Sequence, residues 1–332
     1  MRDSLCAVAT SSPLRGAVVG LGMIGRHHAR ILQQHPDLGF AGAVDPAGDR
    51  YGAISDPSDI LASVAELVDR KPDFAVVAVP TGEHLSTVRE LAAGGINVLV
   101  EKPIAADTQE ANELIEVVRA AGLHGAVGHV ERFNPSLIAL RAAMQNGDLG
   151  EVFSIATERI GPYPARIRDV GVVKDLGVHD LDLVRWLGGA PVARLSAETQ
   201  NRMGGEHEDA VLITGQLTGG QSFNCVVNWI SPTKVRRTRV LGEKGMFIAD
   251  TLSSTLSFHS FDGVQEGPVS EYGVGNSEPL QVELEAFAAL LRGDEKSGVV
   301  TLEEGLDNVV LAEAALDSAA RGETVQLQAV TS

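Results

Sequence analysis

Two cysteines in 332 residues, Cys6 and Cys225, are too few and too far apart for a disulfide framework. The fold must therefore rest on its packed core, and a cytoplasmic setting is expected. Aromatic residues make up only 4 %, so that core falls to Val, Leu, Ile and Ala. No apolar run nears the ~18 residues of a membrane span. The opening MRDSLCAVATSSPLRG lacks the apolar heart of a secretory signal and reads as a flexible tail over residues 1–13. Positive charge is scarce as well: 27 Lys and Arg face 44 Asp and Glu, for a net charge of −17. Nucleic acid and anionic membrane repel such a chain, so neither is an expected partner. Metal ligands do not cluster: His27 and His28 are adjacent and cannot share a helix face. A G-x-S-x-G elbow and a P-loop are also missing.

What is present is ordinary apolar content, 44 %, over a length that suggests two domains. Residues 14–130 read as strand and helix in alternation. The strand RGAVVG runs into Gly20-Leu-Gly-Met-Ile-Gly25 and then a helix to about Gln34. In this pattern Gly20 makes a tight turn, Gly22 lets the backbone meet a pyrophosphate, and Gly25 lets helix and strand pack closely. Met23 and Ile24 share the loop at the helix N-terminus, where phosphates are held. The next strand, 40–44, ends in Asp45, placed to bond ribose hydroxyls. Pro46 follows in place of an arginine, so NAD is favoured over its 2′-phosphorylated form. Strands at 74–79 and 97–100 alternate with helices at 63–69, 83–93 and 108–121, the last capped by Asp107 or Thr108. This predicts a doubly wound parallel sheet. Ligands sit beyond the carboxyl ends of such strands, which brings Pro80, Thr81, His84, Glu101 and Lys102 toward the cofactor. Lys102 could hold a substrate hydroxyl and ease its deprotonation. The plain alternative is a solvated loop lysine.

Beyond residue 130 the alternation stops. A helix at 135–146 precedes strands at 151–159, 192–200, 210–217, 221–229, 234–241 and 246–250, several joined by glycine turns. Helices at 280–291 and 301–320 close the chain. Residues 131–332 are therefore expected as a second α/β domain with a large, open, mostly antiparallel sheet. Its last helix is available to pack back on the first domain. An open sheet leaves a face to cover, so a homodimer or homotetramer through that sheet is expected. Arg236, Arg237 and Arg239 sit on one strand and are expected to face solvent or an oligomer partner.

Within this half, Lys174-Asp-Leu-Gly-Val-His179 places Asp175 and His179 four residues apart at a helix start. On one helix face the acid would orient the imidazole, as in a proton-handling pair. The alternative for His179 is a satisfied core histidine.

Together, the GLGMIG loop, Asp45, Glu101-Lys102-Pro103 and Asp175-x-x-x-His179 resemble the Gfo/Idh/MocA oxidoreductases over nearly the whole chain. The resemblance implies NAD as cofactor and a catalytic set of Lys102, Asp175 and His179. It also implies cofactor contacts from Gly20, Gly22, Met23, Ile24, Gly25, Asp45, Pro80, Thr81, His84, Glu101 and Lys102. Helix-start capping competes as the role of His84. A narrower resemblance, in Gly128-His-Val-Glu-Arg-Phe-Asn-Pro135 and in 161–175, is to the UDP-N-acetylglucosamine 3-dehydrogenase branch. It implies substrate contacts from Arg132 and Asn134, with Arg166 and Arg168 as candidates for a diphosphate. The expected partner is then a sugar or nucleotide sugar. A free-sugar or inositol dehydrogenase is the near rival, and a non-catalytic NAD-dependent regulator the distant one.

Overall fold

The first strand and helix form where the apolar periodicity puts them: β1 (Leu14–Val19) leads through the glycine loop into α1 (Gly25–Gln34). The structure is a computed structural model and describes residues 13–163, 170–262 and 265–327. After α1 come β2 (Leu38–Val44), β3 (Ile60–Leu61), α2 (Val64–Asp69), β4 (Phe74–Val77), α3 (His84–Ala93) and β5 (Asn97–Glu101). Contacts divide the chain into two compact units. One holds residues up to Val100 with Val117–Gly125; the other holds Glu101–Glu116 and the chain from Ala126.

In the first unit the strands pair in parallel in the order β3-β2-β1-β4-β5. All four residues of β4, Phe-Ala-Val-Val, are fully buried. That fits a parallel strand covered on both faces. Chain order reverses between β1 and β4, the switch point where such sheets bind ligands. Residues 46–62 hold only a 3₁₀ turn, Pro57–Asp59, and the two-residue β3. The six-residue α2 then starts on Ser63, whose side chain accepts from Glu66 N.

The remaining elements are α4 (Thr108–Ala120), β6 (Gly125–Gly128), α5 (Pro135–Gln145), β7 (Val152–Ile160), α6 (Val178–Gly188), β8 (Val192–Gln200), β9 (Ala210–Leu217), β10 (Ser222–Asn228), β11 (Val235–Gly242), β12 (Gly245–Asp250), β13 (Thr255–Asp262), β14 (Gln265–Glu271), α7 (Pro279–Leu291), β15 (Val300–Thr301), α8 (Leu302–Arg321) and β16 (Val325–Gln326). Asp107 is the residue that caps α4: its Oδ1 accepts from Glu110 N at 2.8 Å. The large sheet of the second unit has nine strands in the order β14-β13-β12-β11-β7-β10-β9-β8-β16. Among the described residues its one parallel pairing is β7 with β10.

Alternation gives this sheet a dry face. Ile155, Phe223, Cys225, Val227, Val211, Ile213, Val240 and Phe247 point into a core shared with Leu181, Val184 and Leu187 of α6. Each such side chain contributes roughly 1.5–3 kcal/mol on burial. The other face carries Leu212, Thr214, Asn224 and Val226, all at least partly exposed. Helix α8 is fixed at both ends. Thr301 and Glu304 form a capping box, and Gly322 closes the helix in the left-handed region at φ 64°.

Candidate active site

Three glycines shape the cradle of the first unit, each by a different constraint. Gly20 has φ +96° and its N donates to Val44 O at 2.7 Å. A Cβ on Gly25 would stand 1.9 Å from Gly20 O, so the start of α1 tolerates no side chain. A Cβ on Gly22 would meet no described atom within 4 Å. That opening is where a pyrophosphate can approach the backbone. Helix α1 starts there with no acidic residue in its first turn and no side-chain cap; Ile24 holds the cap position. Met23 is largely exposed beside it.

Asp45 ties the loop to the end of β2, its Oδ2 accepting from Leu21 N and its Oδ1 from Ala47 N, both at 2.7 Å. Each carboxylate oxygen keeps a lone pair for a ribose hydroxyl. Loop, Asp45, Arg50, Tyr51 and Pro80 line one cavity of about 330 Å³. The residues present thus fit a dinucleotide. Thr81 opens the 3₁₀ turn Thr81–Glu83. His84 is buried and its Nε2–H donates to Val79 O at 3.1 Å, so it braces this turn; it does not cap the helix start, where Glu83 holds the cap position without a side-chain bond.

The acid–base cluster is assembled within the second unit. Lys102 follows β5, and its Nζ donates to Asp175 O at 2.6 Å and to Asp175 Oδ1 at 3.1 Å. The two side chains are 17 % and 16 % exposed. Glu101 turns its carboxylate toward Gly128, where a Cβ would stand 3.2 Å away, and accepts from Lys102 N. His179 lies in the first turn of α6 and is 8 % exposed.

The expected orientation of His179 by Asp175 is not what the structure holds. Among the described residues the Asp175 carboxylate bonds Lys102, and His179 Nδ1 is buried with no hydrogen-bond partner. The physical reason lies in the backbone. Residues Val173–Gly177 wind as a π turn, so the α-helical i, i+4 rule does not apply across them. The neighbour of His179 is instead His129, edge to face at 6.0 Å and 85°. Burial pushes the His179 imidazole well below its ordinary pKa, and the charges of Lys102, Arg159 and Arg236 push the same way. Neutral His179 is therefore the resting form.

The expected substrate residues fare differently. Arg132 is buried in an ion network: Nε and Nη2 donate to the two oxygens of Asp182 at 2.8 and 2.6 Å, and Nη1 pairs with Glu304 at 2.9 Å. Asn308 Nδ2 donates to Asp182 and lies 3.2 Å from His129 Nε2, which makes Nε2 the acceptor and leaves the His129 proton on Nδ1. Asn134 caps α5, accepting from Ser136 N and Oγ. Both Arg132 and Asn134 thus have internal partners. Arg166 and Arg168 lie outside the described residues. Lys174 Nζ donates to Ala106 O at 2.8 Å.

Sequence reasoning missed Arg159, which donates to Asp180 at 2.7 Å and to Glu131 at 2.8 Å. It also misassigned Arg236. Arg237 and Arg239 are exposed as expected, but Arg236 shares the inward face of β11 with buried Thr238 and Val240. The signal was available: neighbours on a strand point to opposite faces, so 236 cannot share the environment of 237.

Comparison with known proteins sets this geometry in context. Residues 14–129 match the family model described as an oxidoreductase family with an NAD-binding Rossmann fold. Residues 137–248 match the GFO/IDH/MocA C-terminal domain. The chain is 28 % identical over 249 residues to the UDP-N-acetylglucosamine 3-dehydrogenase of Acidithiobacillus ferrooxidans, covering 74 % of this chain and 77 % of that one. The solved structure of that enzyme superposes with a TM-score of 0.82, covering 93 % of this chain and 98 % of its own. Inositol 2-dehydrogenase from Rhizobium meliloti is 25 % identical over 336 residues, covering 95 % and 99 %.

Proposed function

Starting from a chain that belongs to the Gfo/Idh/MocA oxidoreductases and binds NAD, we propose that it oxidises a secondary alcohol of a sugar to a ketone, at the 3-hydroxyl of a UDP-N-acetylhexosamine. One observation carries the reading: Lys102 Nζ, fixed on Asp175, lies within electrostatic reach of a buried, neutral His179. Lys102 has three N–H donors and Asp175 takes two, so the third is left for the substrate oxygen. His179 Nδ1 is sealed from solvent, which leaves Nε2 as the nitrogen that accepts the hydroxyl proton. Asp175 keeps the ammonium in place as alkoxide character grows, an electrostatic role. Bound NAD supplies the hydride acceptor. The glycine loop and Asp45 would hold it.

The branch resemblance and the 28 % relative favour a nucleotide sugar. The inositol 2-dehydrogenase, matched over 95 % of this chain, keeps an inositol as the second reading. A non-catalytic regulator has no need of Lys102, Asp175 and His179 together. Like other chains with an open sheet, the protein is proposed to act as a homo-oligomer.

The test is to incubate protein and NAD with UDP-N-acetylglucosamine, UDP-N-acetylgalactosamine, the free sugars and myo-inositol. NADH absorbance and product mass are followed together. His179→Ala is expected to lower kcat by about 10²–10⁴-fold with NAD affinity kept. Equal loss of NAD binding would assign His179 a structural role. No ketone from any compound would overturn the dehydrogenase reading.

A further inference from the structure

Arg236 is a half-buried cation in the field of Glu131, Asp180 and Asp175, none of which forms an ion pair with it among the described residues. Its Nη1 donates to Ile160 O and to Val235 O, both at 2.7 Å. Among the described residues no carboxylate comes within ion-pair distance, although Arg159 beside it has two, Asp180 and Glu131. A guanidinium offers five N–H donors, and two carbonyls leave most of them unused. Holding such a group partly out of water without an anion is unfavourable unless an anion arrives.

The surroundings leave room for one. Ile160 pairs with Val235 on one side and with Asn228 on the other, so the ends of β7, β10 and β11 converge here. Gly161 follows, and among the described residues a Cβ added to it would have only Lys234 Cγ at 3.7 Å and Arg236 Nη1 at 4.0 Å as neighbours. A second cation, Lys234, thus flanks the same opening, also without a carboxylate partner among the described residues. Asp175 and His179 both lie within electrostatic reach of Arg236. In a chain of net charge −17, two cations without an ion-pair partner among the described residues mark a locally basic spot.

We propose that Arg236, with Lys234, holds an anionic substituent of the substrate, a phosphate or a carboxylate, and so selects charged sugars over neutral ones. The idea rests on the sugar-dehydrogenase reading and names the substrate class of that site. Arginine suits it because its planar fork grips two oxygens at once.

The experiment uses the NAD-loaded full chain and two probes, UDP and galacturonate, measured by calorimetry against wild type, Arg236→Ala, Arg236→Gln and Arg236→Lys. Binding of UDP, of galacturonate or of both is expected to weaken on the order of 10–100-fold in the Ala and Gln variants, with partial recovery in Lys. UDP alone identifies a nucleotide diphosphate; galacturonate alone identifies a sugar acid; either supports the proposal. In turnover, KM for the charged substrate rises with kcat little changed, and KM for myo-inositol stays put. Four results would overturn it: neither probe binding wild type, binding unchanged in the variants, equal loss for myo-inositol, or unfolding of both the Ala and Gln variants. Because binding is read without turnover, failure of the dehydrogenase reading would show separately, as binding intact with no ketone formed.

Discussion

At the scale of single residues, the deciding fact is which cation Asp175 bonds. Its carboxylate bonds Lys102, so His179 stays neutral without a carboxylate of its own. A general base works only unprotonated, and a lowered pKa keeps it so to lower pH. The acid limb of kcat/KM should therefore fall clearly below pH ~6.5, the ordinary histidine value. A limb at or above that value would contradict the electrostatics described. The same shift bears on stability. Buried His179 and His129 both have lowered pKa values, so the unfolded chain binds more protons once pH drops through ~6.5. Stability then declines as pH falls further. Arg132 gives a second test. Removing one partner of a buried ion pair typically costs about 3–5 kcal/mol, so Arg132→Ala should unfold at markedly lower denaturant than wild type. A shift under ~1 kcal/mol, the range of exposed pairs, would show that Asp182 and Glu304 find new partners. Asp182, held down to about 2 by its neighbours despite burial, is the acid left stranded. The loop glycines and Asp45 were legible in sequence because local backbone geometry demands those residue types. The pairing of Asp175 with Lys102, 73 positions away, was not, because it depends on tertiary placement.

At the scale of elements, the glycine loop and its helix separate folding from binding. Gly25→Ala drives a methyl into Gly20 O, so it should disrupt the turn and lower stability. Gly22→Ala meets open space and should fold normally, yet raise the dissociation constant for NAD by filling the approach to the pyrophosphate. Thermal unfolding and NAD titration of the two variants check this. Similar behaviour of both in both assays would refute the division of labour. Strong periodicity located α1, α6 and α8. The π turn at Val173–Gly177 carries no sequence signature and shifted the expected Asp175–His179 geometry. The hairpin of β13 and β14 was missed because its polar mix and Pro268 mask a strand. Proline fits there because β14 is the sheet edge.

At the scale of the whole molecule, the open sheet and the charge pull in opposite directions. A net charge of −17 keeps copies apart. The outward face of the nine-stranded sheet is the surface proposed to bring them together. Leu212 stands opposite Val226, which neighbours Glu158, which neighbours Arg237, which pairs with Asp250 at 3.6 Å. The next row runs Thr214, Asn224, Ala156, Arg239 and Ile248. Apolar positions flanked by charges of both signs suit a self-complementary two-fold contact. A stable interface needs roughly 1,200–2,000 Å² of buried surface, and a nine-stranded face is large enough to provide it. Light scattering of the wild-type protein should therefore give two or four chain masses. Leu212→Lys and Val226→Lys leave the inner core untouched, so each should fold but shift the mass toward one chain. Added salt should screen the net repulsion and strengthen the assembly. A wild-type monomer at every concentration, or variants that assemble unchanged, would remove this face from the contact.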